Sequence, residues 1–262
     1  MQLGGLGRRQ WRTQPRLYAA CNGSLGKQNY DGPHRMQAMI SIIVPALNEE
    51  SCIAETVAAL KALRGPKEII VADGGSGDST VERAKAAGAV VIGCERGRGA
   101  QLHAGASVSH GSTLCFLHAD TVPEPDALER IAAALQDARV AGGNFSLIFD
   151  GAAASAKQMT WIYPRLRYLG LAYGDSGIFV RREAYDAIGG FRPYPLFEDL
   201  DFIRRLRRYG RFVHLDARVH TSYRRFSGPR YVRVWMQWIV LQLLFWAGVS
   251  PYRLARWYRH AR

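Results

Sequence analysis

An α/β domain organised around a mostly parallel sheet is what this sequence predicts, on three observations. From Met39 to Asp137, apolar β-branched runs alternate four times with segments of helical spacing, and strands separated by helices need crossovers that leave them parallel. The runs are nearly continuous in apolar character, as in "ISIIV" and "EIIVA", which marks strands covered on both faces. Most of them end in Pro, Gly or acidic residues, so the functional groups of such a sheet are expected at the carboxyl ends of its strands.

The elements follow in order. "MISIIVPALNEE" is a first strand closed at Pro45, and "ESCIAETVAALKAL" places Ile53, Val57 and Leu60 on one helical face. "EIIVAD" is the second strand. A turn containing Gly74, Gly75 and Gly77 leads to the helix "DSTVERAKAAG", with Asp78 or Ser79 as its N-cap. "AVVIG" is the third strand, "GAQLHAGASVSHG" the third helix, "TLCFLHAD" the fourth strand and "EPDALERIAAALQD" the fourth helix. In "TLCFLHADTVP", Thr121 to Pro123 read as strand-ending punctuation. Beyond Asp137 the rhythm changes. "VAGGNFSLIF" is strand-like, "AKQMTWIYPRLRYLGLAY" helical with an interruption at Pro164, and "GDSGIFVRREAYDAIGGF" a short strand and helix closing on Gly189 and Gly190. "PLFEDLDFIRRLRRYG" opens a helix with Glu198, Asp199 and Asp201 at its start. The chain contains no internal repeat and no linker long enough to separate two domains.

At 262 residues, 48% hydrophobic and 22% charged, the chain has enough apolar material for a full core. Cys21, Cys52, Cys94 and Cys115 show no C-x-x-C spacing, which points to reduced thiols in a cytoplasmic protein rather than a disulfide or zinc framework. The net charge of +13 lies entirely in the tail: residues 204–262 hold fourteen Arg and a single acid, Asp216, whereas the remainder is balanced. Residues 1–38 carry Arg8, Arg9, Arg12, Arg16, Lys27 and Arg35 among Gly, Gln and Asn. They lack the apolar stretch of a secretory signal and the period of a transit helix, and read as a disordered, dispensable extension.

Three acidic stations stand at predicted strand or helix ends: Asp73, Asp120 and the Glu198–Asp199 pair. Each has a purely structural reading. Asp73 in "ADGGSGD" fits turn chemistry, Asp120 fits strand termination, and acids at a helix N-terminus complement its dipole by about 0.3–1 kcal/mol.

Taken together, the motifs resemble those of the family 2 glycosyltransferases, which use nucleotide-sugars and have the GT-A fold. The resemblance covers about residues 40 to 225. Its first motif is Pro45-Ala46-Leu47-Asn48-Glu49, its second Asp73-Gly74-Gly75-Ser76 followed by Asp78 and Thr80, its third His118-Ala119-Asp120, and its fourth Glu198-Asp199. The resemblance implies a GT-A domain over residues 39–229 that binds its donor through Pro45, Asn48, Glu49, Asp73, Arg98 and Asp120. It also implies a divalent ion, Mn²⁺ or Mg²⁺, at Asp120 with His118, and an inverting transfer in which Asp199 is the base and Glu198 its neighbour. A carboxylate and phosphate oxygens suit either ion. Two positions depart from the family's pattern. His118 replaces the first Asp of the metal motif and can serve as a nitrogen ligand, or hydrogen-bond the ribose or a water. Gly74 replaces a second Asp, leaving Asp73 alone to face the base. Arg98, with Arg96 as the alternative, stands where a guanidinium meets phosphate. Tyr173, Asp175 and Gly189 to Phe191 are expected to shape the acceptor side, with His220, Arg224 and Arg225 as a lid. A UDP-sugar is favoured, a GDP-sugar is the second choice, and the acceptor is a lipid or a small molecule.

The tail, residues 230–262, contains an uncharged run from Val234 to Pro251 with Trp235, Trp238 and Trp246. It is too polar at Gln237 and Gln242 for a lipid-exposed span and suits an amphipathic helix at a membrane interface, placing the protein peripherally on the cytoplasmic face of a membrane. The other reading of this run is a core helix that closes the domain. Three other function classes fit the sequence less well. A dinucleotide-dependent oxidoreductase wants G-x-G-x-x-G after the first strand, where this chain has "PALNEE". The tail matches no nucleic-acid recognition motif, so no nucleic-acid partner is expected. A catalytically inactive nucleotide-sugar-binding protein is the stronger alternative, because of His118 and Gly74.

Overall fold

The computed structural model describes residues 39–150, 154–166, 172–222 and 231–259. The expected extension (residues 1–38) and the lid arginines Arg224 and Arg225 lie outside the described residues.

The predicted alternation is present. Strands β1 (Ile40–Ala46), β2 (Lys67–Asp73), β3 (Val90–Gly93) and β4 (Thr113–Phe116) are interleaved with helices α1 (Ile53–Ala62), α2 (Thr80–Ala86) and α3 (Arg98–Val108). Then come β5 (Thr121–Pro123), α4 (Ala127–Ala134), β6 (Val140–Asp150), α5 (Ala154–Leu166), β7 (Ile178–Arg181), α6 (Arg182–Ala187), α7 (Glu198–Tyr209) and β8 (Arg211–Ser222). Helices α8 (Tyr231–Trp246) and α9 (Pro251–Arg259) follow. The strands form one sheet in the order β3-β2-β1-β4-β7-β6-β8-β5. β1 is parallel to β2 and β4, β2 to β3, and β6 to β8. β7 runs antiparallel between β4 and β6, and β5 antiparallel to β8. β2 and β4 flank β1 on opposite sides, so a crevice opens at the carboxyl end of β1, where open α/β sheets bind ligands.

Successive residues of β1 feed opposite faces. Ile42 and Val44 join Leu60, Val71, Leu117 and Phe179 on one face. Ile43 joins Leu102, Phe116, Phe191, Phe202 and Leu206 on the other. This two-sided burial explains the continuous apolar strands.

Several elements depart from the sequence reading. β4 ends at Phe116, not Asp120, because the Leu117 N–H still bonds Ile43 while the chain turns through Ala119 and Asp120, with the Thr121 N–H donated to His118 O at 3.1 Å. Thr121 to Pro123 are then a strand of their own at the sheet edge, where the missing N–H of Pro123 costs little. β8 was not predicted, although Ala217, Val219 and Thr221 alternate inward along it. Helix α5 continues through Pro164 to Leu166, and Tyr173 is extended instead of helical. The expected C-terminal helix is two helices, broken at Gly248 (φ 90°) with Pro251 opening α9.

Candidate active site

The carboxyl ends of β1 and β2 are clasped together. Asn48, itself left-handed (φ 55°), accepts a hydrogen bond from the Gly77 N–H at 2.8 Å, and its own N–H is donated to Ser76 Oγ. The N–H groups of Glu49 and Glu50 are donated to Thr80 Oγ1 and Asp78 Oδ2. Asp73 is buried, its carboxylate accepting bonds from the N–H groups of Gly75 and Ser76 and the Ser76 hydroxyl. Thus Asn48 and Asp73, expected at the donor, spend their side chains on shaping the loop that would receive it. Pro45 is half-buried in β1, in register with Ala72.

Gln101 of α3, which the sequence reading missed, seals this end. Its buried amide donates to Ala46 O at 2.8 Å and Ala72 O at 2.9 Å. A Cβ on residue 74 would stand 3.0 Å from that amide. Gly74, the departure from the usual second Asp, is therefore the residue that leaves room for Gln101.

At the end of β4, Thr56 of α1 donates to Ala119 O at 2.6 Å and fixes the turn that presents His118 and Asp120, both half-exposed. Asp120 Oδ1 accepts from Thr221 Oγ1 of β8 at 3.5 Å. Across the sheet, Thr121 pairs with Thr221, and Asp150 with Ser222. His220 meets Asp150 at 3.0 Å, so its side chain is engaged at the same end of the sheet as Asp120. Among the described residues no group of three or more His, Cys, Asp or Glu side chains is arranged to hold a metal by itself. A half-exposed carboxylate on the turn after β4 nonetheless fits Mn²⁺ or Mg²⁺, since these ions keep waters and take substrate phosphates as ligands instead of requiring an all-protein cage.

The Glu198–Asp199 pair opens α7 as predicted. Asp199 Oδ2 accepts from the Gly174 N–H at 2.7 Å, and Oδ1 from the Leu200 N–H at 2.8 Å. Gly174 begins a short 3₁₀ turn that leads into β7, and Ile178 of β7 pairs with Phe116 at the end of β4. The topology therefore brings Asp199 to the sheet end that carries Asp120. Beneath the turn, Asn144 Nδ2 donates to Ser176 Oγ at 2.7 Å.

Arg98 is the first residue of α3, and its guanidinium is 3.4 Å from Glu198 Oε1, the side chains being 38% and 4% exposed. Arg98, predicted to meet the donor phosphate, thus has a structural partner in Glu198. Gly99 allows the approach, since a Cβ there would lie 2.1 Å from Arg192 O and 3.3 Å from Glu198 Cβ. Burial pushes the Glu198 carboxyl up, opposed by Arg98 and reinforced by Asp199. Burial alone would lower the Arg98 guanidinium, but Glu198, Asp199 and Asp175 more than offset it and the net shift is upward. Arg96 is exposed.

The acceptor-side residues divide. Asp175 accepts from Tyr163 OH at 2.8 Å, and Tyr173 OH donates to Gln242 Oε1 of α8 at 2.9 Å. Phe191 is a core residue, stacked on Phe202 at 4.2 Å, so it does not shape a pocket. Asp201 pairs with Arg192 and Arg205, apart from the Arg98 cluster. Phe197, immediately before the acidic pair, is left-handed (φ 62°, ψ 25°), a conformation that costs a bulky residue of order 1–3 kcal/mol.

The sequence model of glycosyl transferase family 2 matches residues 41–194, more than half of the chain and all of the motifs up to the loop before Glu198. The chain belongs to glycosyl transferase family 2. Glucosyl-3-phosphoglycerate synthase of Mycolicibacterium smegmatis is 36% identical over 98 residues, a match that spans 33% of this chain and 32% of that relative. Among solved structures, this family 2 chain is similar to glucosyl-3-phosphoglycerate synthase from Mycobacterium tuberculosis in complex with Mn²⁺, UDP-glucose and phosphoglyceric acid. The TM-score there is 0.58 at 19% identity, covering 81% of each chain. It is also similar to the mannosyltransferase PcManGT from Pyrobaculum calidifontis with GDP-mannose and Mn²⁺ (TM-score 0.62, 18% identity, 78% of this chain and 61% of that one). These likenesses bear out the predicted GT-A fold. Family membership also speaks against the oxidoreductase alternative.

Proposed function

We propose that this protein transfers a sugar, hexose-like in size, from a nucleoside-diphosphate sugar to an acceptor hydroxyl, with inversion at the anomeric carbon. The observation that carries this reading is the pair of carboxylates at one sheet end: Asp120 on the turn after β4, and Asp199 held on the turn that enters β7 beside it. Asp199 takes the proton of the attacking hydroxyl, which needs a carboxylate within hydrogen-bond reach. Asp120, with His118 as the second candidate ligand, would hold a Mn²⁺ or Mg²⁺ ion, which would supply positive charge against the leaving diphosphate. Arg98 supports Glu198 and adds positive charge near the donor. Relatives crystallised with UDP-glucose and with GDP-mannose keep both bases in play, a UDP-sugar being favoured.

Thermal shift of the purified protein with UDP, GDP and their sugars, with and without Mn²⁺, tests donor binding. A ligand at about 100 times its dissociation constant stabilises by about 2.7 kcal/mol. Transfer with a product anomer opposite to the donor's is the expected result; retention would exclude the single displacement, and binding without turnover would leave the inactive nucleotide-sugar-binding reading.

We also place the protein on a cytoplasmic membrane surface, facing lipid through α8 and α9. Among the described residues no helix is long and apolar enough to cross a membrane. Gln242, which argued against lipid exposure, is buried. Met236, Val240, Leu243 and Trp246 nevertheless expose about half their surface along one side of α8, with Tyr252 and Trp257 exposed on α9. Arg253 and Arg256 are exposed nearby, and no acid follows Asp216. This composition suits an anionic bilayer, where each Arg contributes roughly 1 kcal/mol within a Debye length. The full-length protein should sediment with anionic vesicles at low salt, be released in part by high salt, and lose binding on Leu243→Asp. Self-association relieved by Leu243→Asp without vesicle binding would assign the face to a second copy instead.

A further inference from the structure

We infer that α8 is part of the catalytic apparatus: it clamps the ring of Phe197 and thereby fixes the backbone from which Glu198 and Asp199 project. The inference rests on the reading of Asp199 as the base. Among the described residues only Asn48 and Phe197 are non-glycine residues with positive φ. Asn tolerates this region because its side chain can bond locally, as Asn48 does. Phe197 has no such means, so its conformation persists only because its surroundings impose it.

Those surroundings belong largely to the C-terminal helices. The buried Phe197 ring stacks on Phe245 with centroids 5.0 Å apart and meets Trp238 edge-on at 5.7 Å. Leu196, Phe197 and Leu200 share an apolar cluster with Leu241, Leu254 and Ala255. The turn at Phe197 starts α7, its carbonyl accepting the Asp201 N–H at 3.0 Å, so Asp199 comes off the chain two residues after the clamped ring.

A second tie reaches the same point from the other side. Gln242 of α8 bonds Tyr173, the residue before the Gly174 whose N–H holds Asp199. The Gln242 amide nitrogen is buried and has no hydrogen-bond partner among the described residues, so the bond its oxygen makes to Tyr173 is what this amide contributes on an otherwise apolar face. α8 thus grips both sides of the Gly174–Asp199 hydrogen bond, through Tyr173 on the donor side and Phe197 on the acceptor side. The residues named are positioning residues.

The test uses full-length Trp238→Ala, Phe245→Ala and Gln242→Leu, each assayed well below its own Tm, with kcat and donor Kd measured separately. Displacement of a base by a fraction of an ångström is expected to lower kcat at least ~10-fold in the clamp variants while donor Kd stays within about twofold. Trp238→Phe and Phe245→Leu, which refill the clamp, should restore most of kcat. A lowered Tm with unchanged kcat would overturn the inference, as would a donor Kd that weakens in step with kcat. If the alanine variants fail to fold, Gln242→Leu decides, because it keeps the volume and removes only the bond to Tyr173. Asp199→Asn run alongside separates the failures: full turnover in that variant refutes the base assignment, whereas loss there with normal clamp variants refutes the clamp alone.

Discussion

Asp199→Asn is expected to lower turnover at least ~10²-fold, the usual scale for a positioned general base, with donor affinity within about twofold of the parent. The substitution is nearly isosteric. The Asn carbonyl oxygen can still accept the Gly174 N–H that now bonds Asp199 Oδ2 at 2.7 Å, so the 3₁₀ turn and the entry to β7 keep their geometry. What is lost is the capacity to take a proton, together with the second acceptor oxygen that now bonds the Leu200 N–H at 2.8 Å, while Asp120 is untouched. Steady-state kinetics and equilibrium titration with the nucleoside diphosphate separate the two quantities. If donor binding collapses with turnover, Asp199 belongs to the donor site or to the fold. Glu198→Gln should behave differently, because it strips the buried partner from Arg98 (3.4 Å). Leaving a charge unpaired in a partly buried place destabilises, so a lower Tm should accompany any loss of rate in that variant.

What could be read from sequence follows the range of the interactions involved. β1 to β4 were legible because their continuous apolar runs are local and their acidic or Gly-rich ends stand beside them in the chain. Asp120 and Asp199 were legible as motif residues, yet nothing local says that the start of β7 brings them to one sheet end. Arg98 and Glu198 are 100 residues apart, so their pairing could not be seen from sequence, where Arg98 reads as a phosphate ligand or a solvated surface residue. Gln101 lies in a helix that scans as small and polar; its role exists only once β1 and β2 close beneath it. β5 is three residues long, too short to show a period. β8 does show one at Ala217, Val219 and Thr221, obscured by the intervening Arg218 and His220. The tail itself was read as a membrane segment or as a closing helix. One face of α8 packs on Phe197, as a closing helix does, while Met236, Val240, Leu243 and Trp246 stay exposed; the membrane reading is a proposal about that exposed face.

Asp120→Asn is expected to abolish the Mn²⁺-dependent part of nucleoside-diphosphate affinity and most of the turnover while the fold survives. Fold survival follows from near-isostery: Asp120 is half-exposed, and the bond it accepts from Thr221 at 3.5 Å is one that an amide oxygen can also accept. The turn that carries it is held by Thr56 through Ala119 O, independently of the Asp120 side chain. Removing one negative charge, by contrast, strikes at the interaction that matters, since a hard divalent ion draws its affinity from anionic oxygen. The parent protein should lose the same affinity when Mn²⁺ is chelated, and the variant should be indifferent to chelation. Titration of UDP with and without Mn²⁺ reads this directly. His118→Asp restores the commoner motif and should retain activity if position 118 faces the ion, whereas an inert but folded variant would assign His118 to the ribose or to a water. An Asp120→Asn protein whose affinity still rises with Mn²⁺ would remove the metal from this strand end and, with it, the reason for an acid at this turn.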